Sequence, residues 1–143
     1  MPLYNPAFVV GGTNATVYPA RFVKITGEFA VEQATAGDGV IGVAQEGTWA
    51  PPGITELLGA TSSTYAAKTG QTLKVFGLGD ICVVEVAAST TVNAGAFVKS
   101  DADGRAVSTS TAGDKVGGIA LQTVTSTSTE YAKLLIQVNP HTI

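Results

Sequence analysis

Residues that could bind a cation occur close together once in the chain, at Asp101 and Asp103 just before Gly104. Carboxylates at alternate positions can face one calcium ion. An EF-hand loop, however, needs further oxygen ligands and a glutamate at its twelfth position, and none follows here. Asp-Gly is also typical of a tight hairpin turn. We therefore expect a plain hairpin turn at this segment and no metal site.

The other residues with chemical potential stand alone. His141 is the single histidine and Cys82 the single cysteine, so neither a zinc site nor a Ser-His-Asp triad can be assembled in one chain. Cys82 cannot form an internal disulfide, and its apolar neighbours predict a small buried side chain. The segment 77–80 (GLGD) lacks the last glycine and the helix of a dinucleotide-binding fingerprint, so it predicts a turn. We expect no catalytic residue, no cofactor and no enzymatic activity.

The clearest pattern is a ten-residue stretch that occurs twice, as TAGDGVIGVA at 35–44 and as TAGDKVGGIA at 111–120. In each copy an Ala-Gly-Asp turn precedes an apolar run rich in β-branched residues, which predicts a turn followed by a buried strand. Asp38 and Asp114 recur in these turns. We expect them to bond the turn backbone and not to act in catalysis.

The repetition continues upstream, where Phe22-Val23-Lys24 reappears 75 residues later as Phe97-Val98-Lys99. The duplicated units therefore span 8–45 and 83–122. The separation grows to 76 residues at the ten-residue stretch, and we place the extra residue in the turn 100–104. Equal spacing predicts that the units superpose, with Phe22 and Phe97 at equivalent core positions.

Short apolar segments bounded by turn residues predict an all-β fold, a small barrel or sandwich built from the two units. The 143 residues fit a single β domain. Segments 72–76 and 81–86 predict a hairpin around the turn 77–80. The closing strand is expected at 133–138, ending at Pro140.

Two segments are not needed to close such a core. An extended N-terminal arm, 1–12, carries Leu3, Tyr4 and Phe8, and an unrepeated inserted segment, 46–71, carries Trp49. An inserted segment of this length predicts an extra strand or a functional loop. Leu3, Tyr4, Phe8 and Trp49 are our candidates for contact with a partner or with another subunit, although a core role for Trp49 is equally compatible.

Composition excludes several functions. Charged residues make up 13% of the chain and the net charge is −3, so no basic stripe exists to follow a nucleic-acid backbone. No signal-peptide pattern begins the sequence and no apolar run approaches membrane length, so we expect synthesis and folding in a cytoplasm. With so few charges, much of the surface must be Ser, Thr, Ala and Gly, which suits burial against neighbouring molecules.

The sequence resembles the capsid cement, or head decoration, proteins of tailed bacteriophages. The resemblance rests on the segments 4–8 (YNPAF), 37–38 (GD) with 40–46 (VIGVAQE), Val92, Gly95, Val98, 100–106 (SDADGRA) and 113–121 (GDKVGGIAL). It implies a small β-rich protein without catalytic residues that binds the outside of an expanded head and bridges major capsid subunits, often as a trimer. It also implies a location on the virion surface. The long segment 46–71 departs from shorter members of the family.

The alternative hypothesis is a β-barrel binding module for a carbohydrate or another ligand on a particle surface. A cluster of exposed aromatic side chains would favour it, and Trp49, Tyr65 and Tyr131 are the candidates. An enzyme of unknown chemistry would need a polar pocket.

Overall fold

The computed structural model describes residues 8–12, 16–44, 67–68, 70 and 72–143. These residues form fifteen β-strands and no helix, so the expected all-β fold is confirmed. The strands of the first unit and the link are β1 (Phe8–Val10), β2 (Thr16–Val17), β3 (Phe22–Gly27), β4 (Ala30–Gln33), β5 (Gly42–Ala44), β6 (Ala67–Lys68), β7 (Thr72–Leu73) and β8 (Val75–Phe76). Those of the second unit are β9 (Ile81–Glu85), β10 (Thr91–Val92), β11 (Phe97–Ser100), β12 (Ala106–Thr109), β13 (Lys115–Ala120), β14 (Val124–Thr125) and β15 (Lys133–Thr142).

The first unit is a six-stranded sheet in the order β7-β1-β4-β3-β5-β8. Its two end strands, β7 and β8, are separated in the chain only by Lys74. The sheet must therefore curl until its ends meet, which gives a small barrel. Closure of this kind removes exposed sheet edges, where strands of other chains could add.

The second unit is a five-stranded sheet in the order β12-β11-β13-β15-β9. A parallel bridge between Val86, just after β9, and Ala106, at the start of β12, brings its two ends together. Both units therefore curl in the same way. Each also has a two-stranded ribbon, β2-β6 in the first unit and β10-β14 in the second.

Equivalent residues pair with equivalent partners, as the repeat predicts. Phe22 lies opposite Val43 in the first unit, and Phe97 lies opposite Ile119 in the second. Each unit also has its own interior. The first contains Val10, Val17, Val23, Val31, Ala44, Leu73 and Val75, and the second contains among others Val84, Val92, Val98, Ala106, Ala120, Leu134 and Ile136. Each fully buried aliphatic side chain contributes about 1.5–3 kcal/mol.

The extra residue of the second unit does not lie in the turn 100–104, where we expected it. Val23 pairs with Gln33 and Val98 pairs with Ser108, so the two hairpins have the same length and the same register. The separation between equivalent residues of the two units changes from 75 to 76 only after Ser108. The insertion therefore lies between β12 and the Ala-Gly-Asp turn, where the chain has left the ladder and can accept a residue without a change of register.

The expected hairpin around 77–80 is wrong. β8 pairs with β5 of the first unit and β9 pairs with β15 of the second, so this turn links the two units. The turn itself bonds to β15. Gly79 N donates a hydrogen bond to the backbone oxygen of Val138, and Val138 N donates one to the backbone oxygen of Asp80. A turn flanked by two apolar runs predicts a hairpin only if the runs prefer each other to other strands.

The closing strand does not end at Pro140, because β15 continues to Thr142. Gly118 pairs with Val138 and Val116 pairs with His141. Asn139 and Pro140 therefore oppose Gly117 alone, which is a β-bulge. An unpaired bulge position tolerates proline, which has no N–H to give to the ladder.

Candidate functional site

The two units meet where the β11–β12 turn of the second unit docks on the first unit. Phe22 N donates a 2.8 Å hydrogen bond to the oxygen of Gly104. Arg21 Nη1 and Gln33 Nε2 both donate to the oxygen of Asp103, at 2.8 and 2.9 Å. Residues 101–105 are the docking turn. We use the name junction for the docking turn together with the first-unit residues that receive it.

The turn is shaped by its own aspartate. Asp101 Oδ1 accepts hydrogen bonds from the N–H groups of Asp103 and Arg105, both at 2.8 Å. The hairpin turn expected at this segment is therefore confirmed. The Asp101 carboxylate organises the backbone that the first unit grips.

Phe22 carries the apolar part of the junction. Its side chain is fully buried and belongs to the same core cluster as the second-unit interior, together with Ala34, Val40 and Val43. Its ring packs over Gly117, where an added Cβ would lie 2.6 Å from a ring carbon. A larger residue at this position would force the buried ring of Phe22 to move.

Phe97, expected to be the core equivalent of Phe22, is 38% exposed, so that expectation is wrong. The face of the first unit that carries Phe22 is covered by the second unit, whereas the matching face of the second unit is outermost. Phe97 contacts the ring of His141 edge-to-face, with 5.0 Å between the ring centroids. Phe22 and Phe97 therefore have equivalent strand partners but differ in burial.

Beside the docking turn, one carboxylate holds three cations. Glu85 Oε1 accepts from Arg105 Nε at 2.7 Å and from Arg21 Nη2 at 3.1 Å, and Glu85 Oε2 accepts from Lys133 Nζ at 2.9 Å. The side chains of Arg21, Arg105 and Glu85 are mostly buried, and Lys133 is about half exposed. This cluster joins the first unit to the second electrostatically.

The pKa directions follow from burial and from these contacts. Burial, opposed by Glu85, leaves the pKa of Arg21 lowered. Burial would raise the pKa of Glu85, but its bonds to Arg105 and Lys133 and the charge of Arg21 outweigh it and lower that pKa. Burial would lower the pKa of Arg105, but the bond and the charge of Glu85 raise it. The lowered pKa of Glu85 and the raised pKa of Arg105 both favour the charged forms of this pair.

A groove of about 630 Å³ opens over this cluster and is lined by Tyr18, Pro19, Arg21, Gln33, Glu85, Asp103, Arg105 and Lys133. The Arg105 guanidinium lies 3.8 Å from the centre of the Tyr131 ring, and that of Arg21 lies 5.3 Å from that of Tyr18. Hydrogen bonds and cation–π contacts thus engage the charges within the protein. We call this 630 Å³ groove the polar groove.

A second groove, of about 540 Å³, lies on the second unit alone. It is lined by Gly95, Ala96, Phe97, Lys99, Ser108, Thr109, Ser110 and Thr111. Lys99 Nζ pairs with Asp114 Oδ2 at 2.8 Å, and Thr109 Oγ1 donates to the same oxygen. We call it the open groove.

The repeated aspartates differ in their partners: Asp38 bonds the turn backbone, as the sequence predicted, whereas Asp114 bonds the side chains of Lys99 and Thr109. Asp38 Oδ2 accepts from Thr35 N and from Lys24 Nζ, just as Asp114 pairs with Lys99. Burial would raise the pKa of Asp38, but the Thr35 and Lys24 bonds lower it. Each Ala-Gly-Asp turn is thus tied to the third residue of its FVK segment.

Apolar side chains also stand on the outer face of the second sheet. Leu135 lies opposite Val83 on β9, and Leu121 N donates to the oxygen of Leu135. Ile81 follows on the same face of β9 and is 59% exposed. We call Ile81, Val83, Leu121 and Leu135 the apolar outer face.

Of the four sequence candidates for contact, Leu3, Tyr4 and Trp49 lie outside the described residues, and so does the possible strand in 46–71. Phe8 is half-buried, lies opposite Leu73, and packs against the interior of the first unit. Sequence reasoning missed the Glu85 cluster, because its members come from β9, β15 and both units with no motif spacing. The sequence contains no signal for it, because no Lys or Arg lies between Lys74 and Lys99 on either side of Glu85.

In the part of the chain described above, no three His, Cys, Asp or Glu side chains are grouped as metal ligands. The described strands and turns include no helix that could span a membrane. Compared with models of known protein families, the chain matches none, and no curated protein matches it either.

Proposed function

We propose that this protein is a structural component of a phage virion that binds the outer surface of the assembled head and stabilises contacts between major capsid subunits. It acts there as a homo-oligomer, with a trimer as the expected form. The proposal rests on the sequence resemblance given above and on one structural observation, the apolar outer face. It assigns no enzymatic activity and no cofactor.

The apolar outer face supports protein binding because contiguous exposed apolar side chains on a rigid surface mark interaction sites. Ile81, Leu121 and Leu135 are each at least 36% exposed on a sheet held by a continuous ladder. A rigid surface loses little conformational entropy when it binds. A low-charge surface also suits contact with a repeating protein lattice.

A cement protein must bind the assembled shell better than loose subunits, since a ligand stabilises only the state that it prefers. At a free concentration one hundred times its dissociation constant, one site adds about 2.7 kcal/mol. A shell has many such sites. Weak individual contacts therefore suffice for a measurable rise in the melting temperature of the head.

The test adds purified protein to heads made without it and follows binding and thermal disruption. Ile81→Lys and Leu121→Lys should weaken binding, while Ile143→Lys, an exposed apolar residue away from this face, is the matched control. Deletion of residues 1–7 and Trp49→Ala test the arm and the inserted segment. Heads that melt at the same temperature with and without saturating bound protein would remove the cementing role.

The alternative function, a binding module for a surface carbohydrate, is favoured by the tyrosines next to the polar groove. Tyr18 and Tyr131 are both exposed and both stack with a guanidinium. Such rings and charged groups can contact sugar hydroxyls. Calorimetric titration with the surface polysaccharide of a host would detect this binding, and Tyr131→Ala should abolish it.

A further inference from the structure

The junction inside the chain joins two different surfaces of two similar units. The second unit contributes its docking turn and the first unit contributes the receiving groove around Arg21, Phe22 and Gln33. Because the units are duplicates, the first unit has its own copy of the turn and the second has its own copy of the groove. Among the described residues neither copy receives its counterpart, although Phe29 O accepts a hydrogen bond from Val9 N.

The unused turn is the β3–β4 turn of the first unit. The two hairpins share their register up to the pairs Ile25–Val31 and Ser100–Ala106. Equal turn length then places Phe29 at the position of Gly104 and Glu28 at that of Asp103, although the first hairpin adds the pair Gly27–Ala30 beyond a bulge. Phe29 and Gly104 both have positive φ, 53° and 75°. Phe29 is 49% exposed. A bulky residue with positive φ is strained, and strain of this kind is concentrated at functional sites.

The unused receiving surface is the open groove. Gly95 corresponds to Ala20, and both have positive φ, at 86° and 58°. Phe97 corresponds to Phe22, since Phe97 lies opposite Ile119 as Phe22 lies opposite Val43, and Lys99 corresponds to Lys24. The open groove is thus the position on the second unit at which the first unit receives the docking turn.

The two turns and the two grooves differ in size in a complementary way. Inside the chain the turn carries glycine, and a Cβ on Gly104 would lie 2.9 Å from Gln33 Cγ and 3.3 Å from Arg21 Cβ. In the open groove the corresponding residues are Ser108 and Ala96. A small turn residue thus meets two large side chains inside the chain, whereas the free groove has small side chains and the free turn has phenylalanine.

We propose that the chain associates head to tail with a second copy, the Phe29 turn of one molecule seated in the open groove of the next. Phe29 packs there against Ala96, Ser108 and the exposed edge of Phe97. The contact relies on side-chain packing. The backbone bond of the junction is not repeated, because Phe97 is paired with Thr109 on β12.

This interface is heterologous, because one molecule contributes its Phe29 turn and the other its open groove. The first molecule still has a free open groove and the second a free Phe29 turn, so further copies can bind. Such contacts form a ring if the rotation closes and an open chain if it does not. The association is a property of the free protein and does not depend on capsid binding. Its failure is thus distinguishable from failure of the proposed function.

The test is sedimentation velocity of the purified full chain across a wide range of concentrations. Wild-type protein should form species larger than a monomer. Phe29→Asp should weaken self-association about 30-fold, because loss of a hot-spot side chain costs about 2 kcal/mol and a factor of ten is 1.4 kcal/mol. Leu78→Asp, which changes an exposed apolar residue on another turn, is the matched control and should associate like wild type.

A second variant fills the groove with the residues of the first unit, Ala96→Arg with Ser108→Gln, and should also self-associate more weakly than wild type. Each variant keeps one intact surface, so an equal mixture of the two should form dimers and nothing larger. Circular dichroism and a cooperative melt establish that both are folded. Wild-type protein that stays monomeric throughout, or a mixture of the variants that yields only monomers, would overturn the proposal.

Discussion

Glu85→Gln is the substitution that tests the junction most directly. The carboxylate holds Arg21, Arg105 and Lys133, and the glutamine amide keeps the shape of the side chain while it removes the charge. Two guanidiniums and an ammonium then face each other, and the nearby counter-charge that remains is the exposed carboxylate of Asp103, 3.3 Å from Arg105 Nη1. The most buried of them, Arg21, has its pKa already lowered by burial, so it bears the largest penalty.

The magnitude follows from the exposure of each pair. Loss of one partner from a buried pair is destabilising by about 3–5 kcal/mol. The Glu85 side chain retains some exposure, glutamine retains an acceptor oxygen, and exposed pairs such as that with Lys133 contribute about 0.2–1 kcal/mol. We expect the lower end, a loss of about 3 kcal/mol in the free energy of unfolding. Glu130→Gln, which changes an exposed carboxylate, is the control and should stay within about 0.5 kcal/mol of wild type.

The assay is urea unfolding at neutral pH and again in acid. The pKa of Glu85 is lowered in the folded state, so its stabilisation is present above its ordinary value of 4.5 and is lost as the pH falls through the folded value. Wild type and Glu85→Gln should therefore converge in stability in acid. A difference below about 1 kcal/mol at neutral pH, or an equal difference at both pH values, would refute the assigned role of the pair.

Three further tests, two with paired substitutions and one with a thiol reagent, probe the duplicated fold. Phe22→Ala should destabilise by about 3–5 kcal/mol in chemical unfolding, whereas Phe97→Ala, at a partly exposed site, should cost about 1 kcal/mol, and equal losses would contradict the asymmetry. Gly104→Ala should lower the free energy of unfolding by about 1–3 kcal/mol, because φ at this position is positive and the Gln33 side chain is close. Gly113 also has positive φ but lies in open space, so Gly113→Ala should lower stability less in the same thermal melt. Cys82 should resist thiol reagents in the native state at pH 8, since burial raises its pKa to about 12, and rapid labelling without denaturant would show that the site opens.

Local patterns were sufficient to predict the fold class and the repeat. Turn residues with fixed spacing and short β-branched runs identified all-β structure and the equivalent strands, because these features depend on neighbours a few residues apart. The bond of Asp38 to its turn backbone was predicted for the same reason, whereas the side-chain partners of Asp114 were not. The register of Phe22 with Val43 and of Phe97 with Ile119 then followed from equal spacing.

Long-range choices could not be predicted in this way. The segment 77–80 has the chemistry of a hairpin turn, yet its flanking strands pair with β5 and β15, which are distant in sequence. Pro140 is a strand terminator by its local chemistry, but a bulge opposite Gly117 accommodates it. The Glu85 cluster unites side chains that no spacing rule connects. Each of these outcomes depends on which segments win the competition for partners in the whole molecule.

The differences between the units indicate what each surface meets. Interior positions stay apolar in both units, as with Val17 and Val92, because each barrel needs its own core. Outward positions differ where one copy lies in the junction and the other does not: Arg21 has become Ala96 and Gln33 has become Ser108. If the open groove faced only water, polar residues of any size would serve there. Instead, the groove on the second unit is lined by small side chains, and the turn on the first unit carries the large, strained Phe29. Two surfaces that bind each other would show this complementary difference in size.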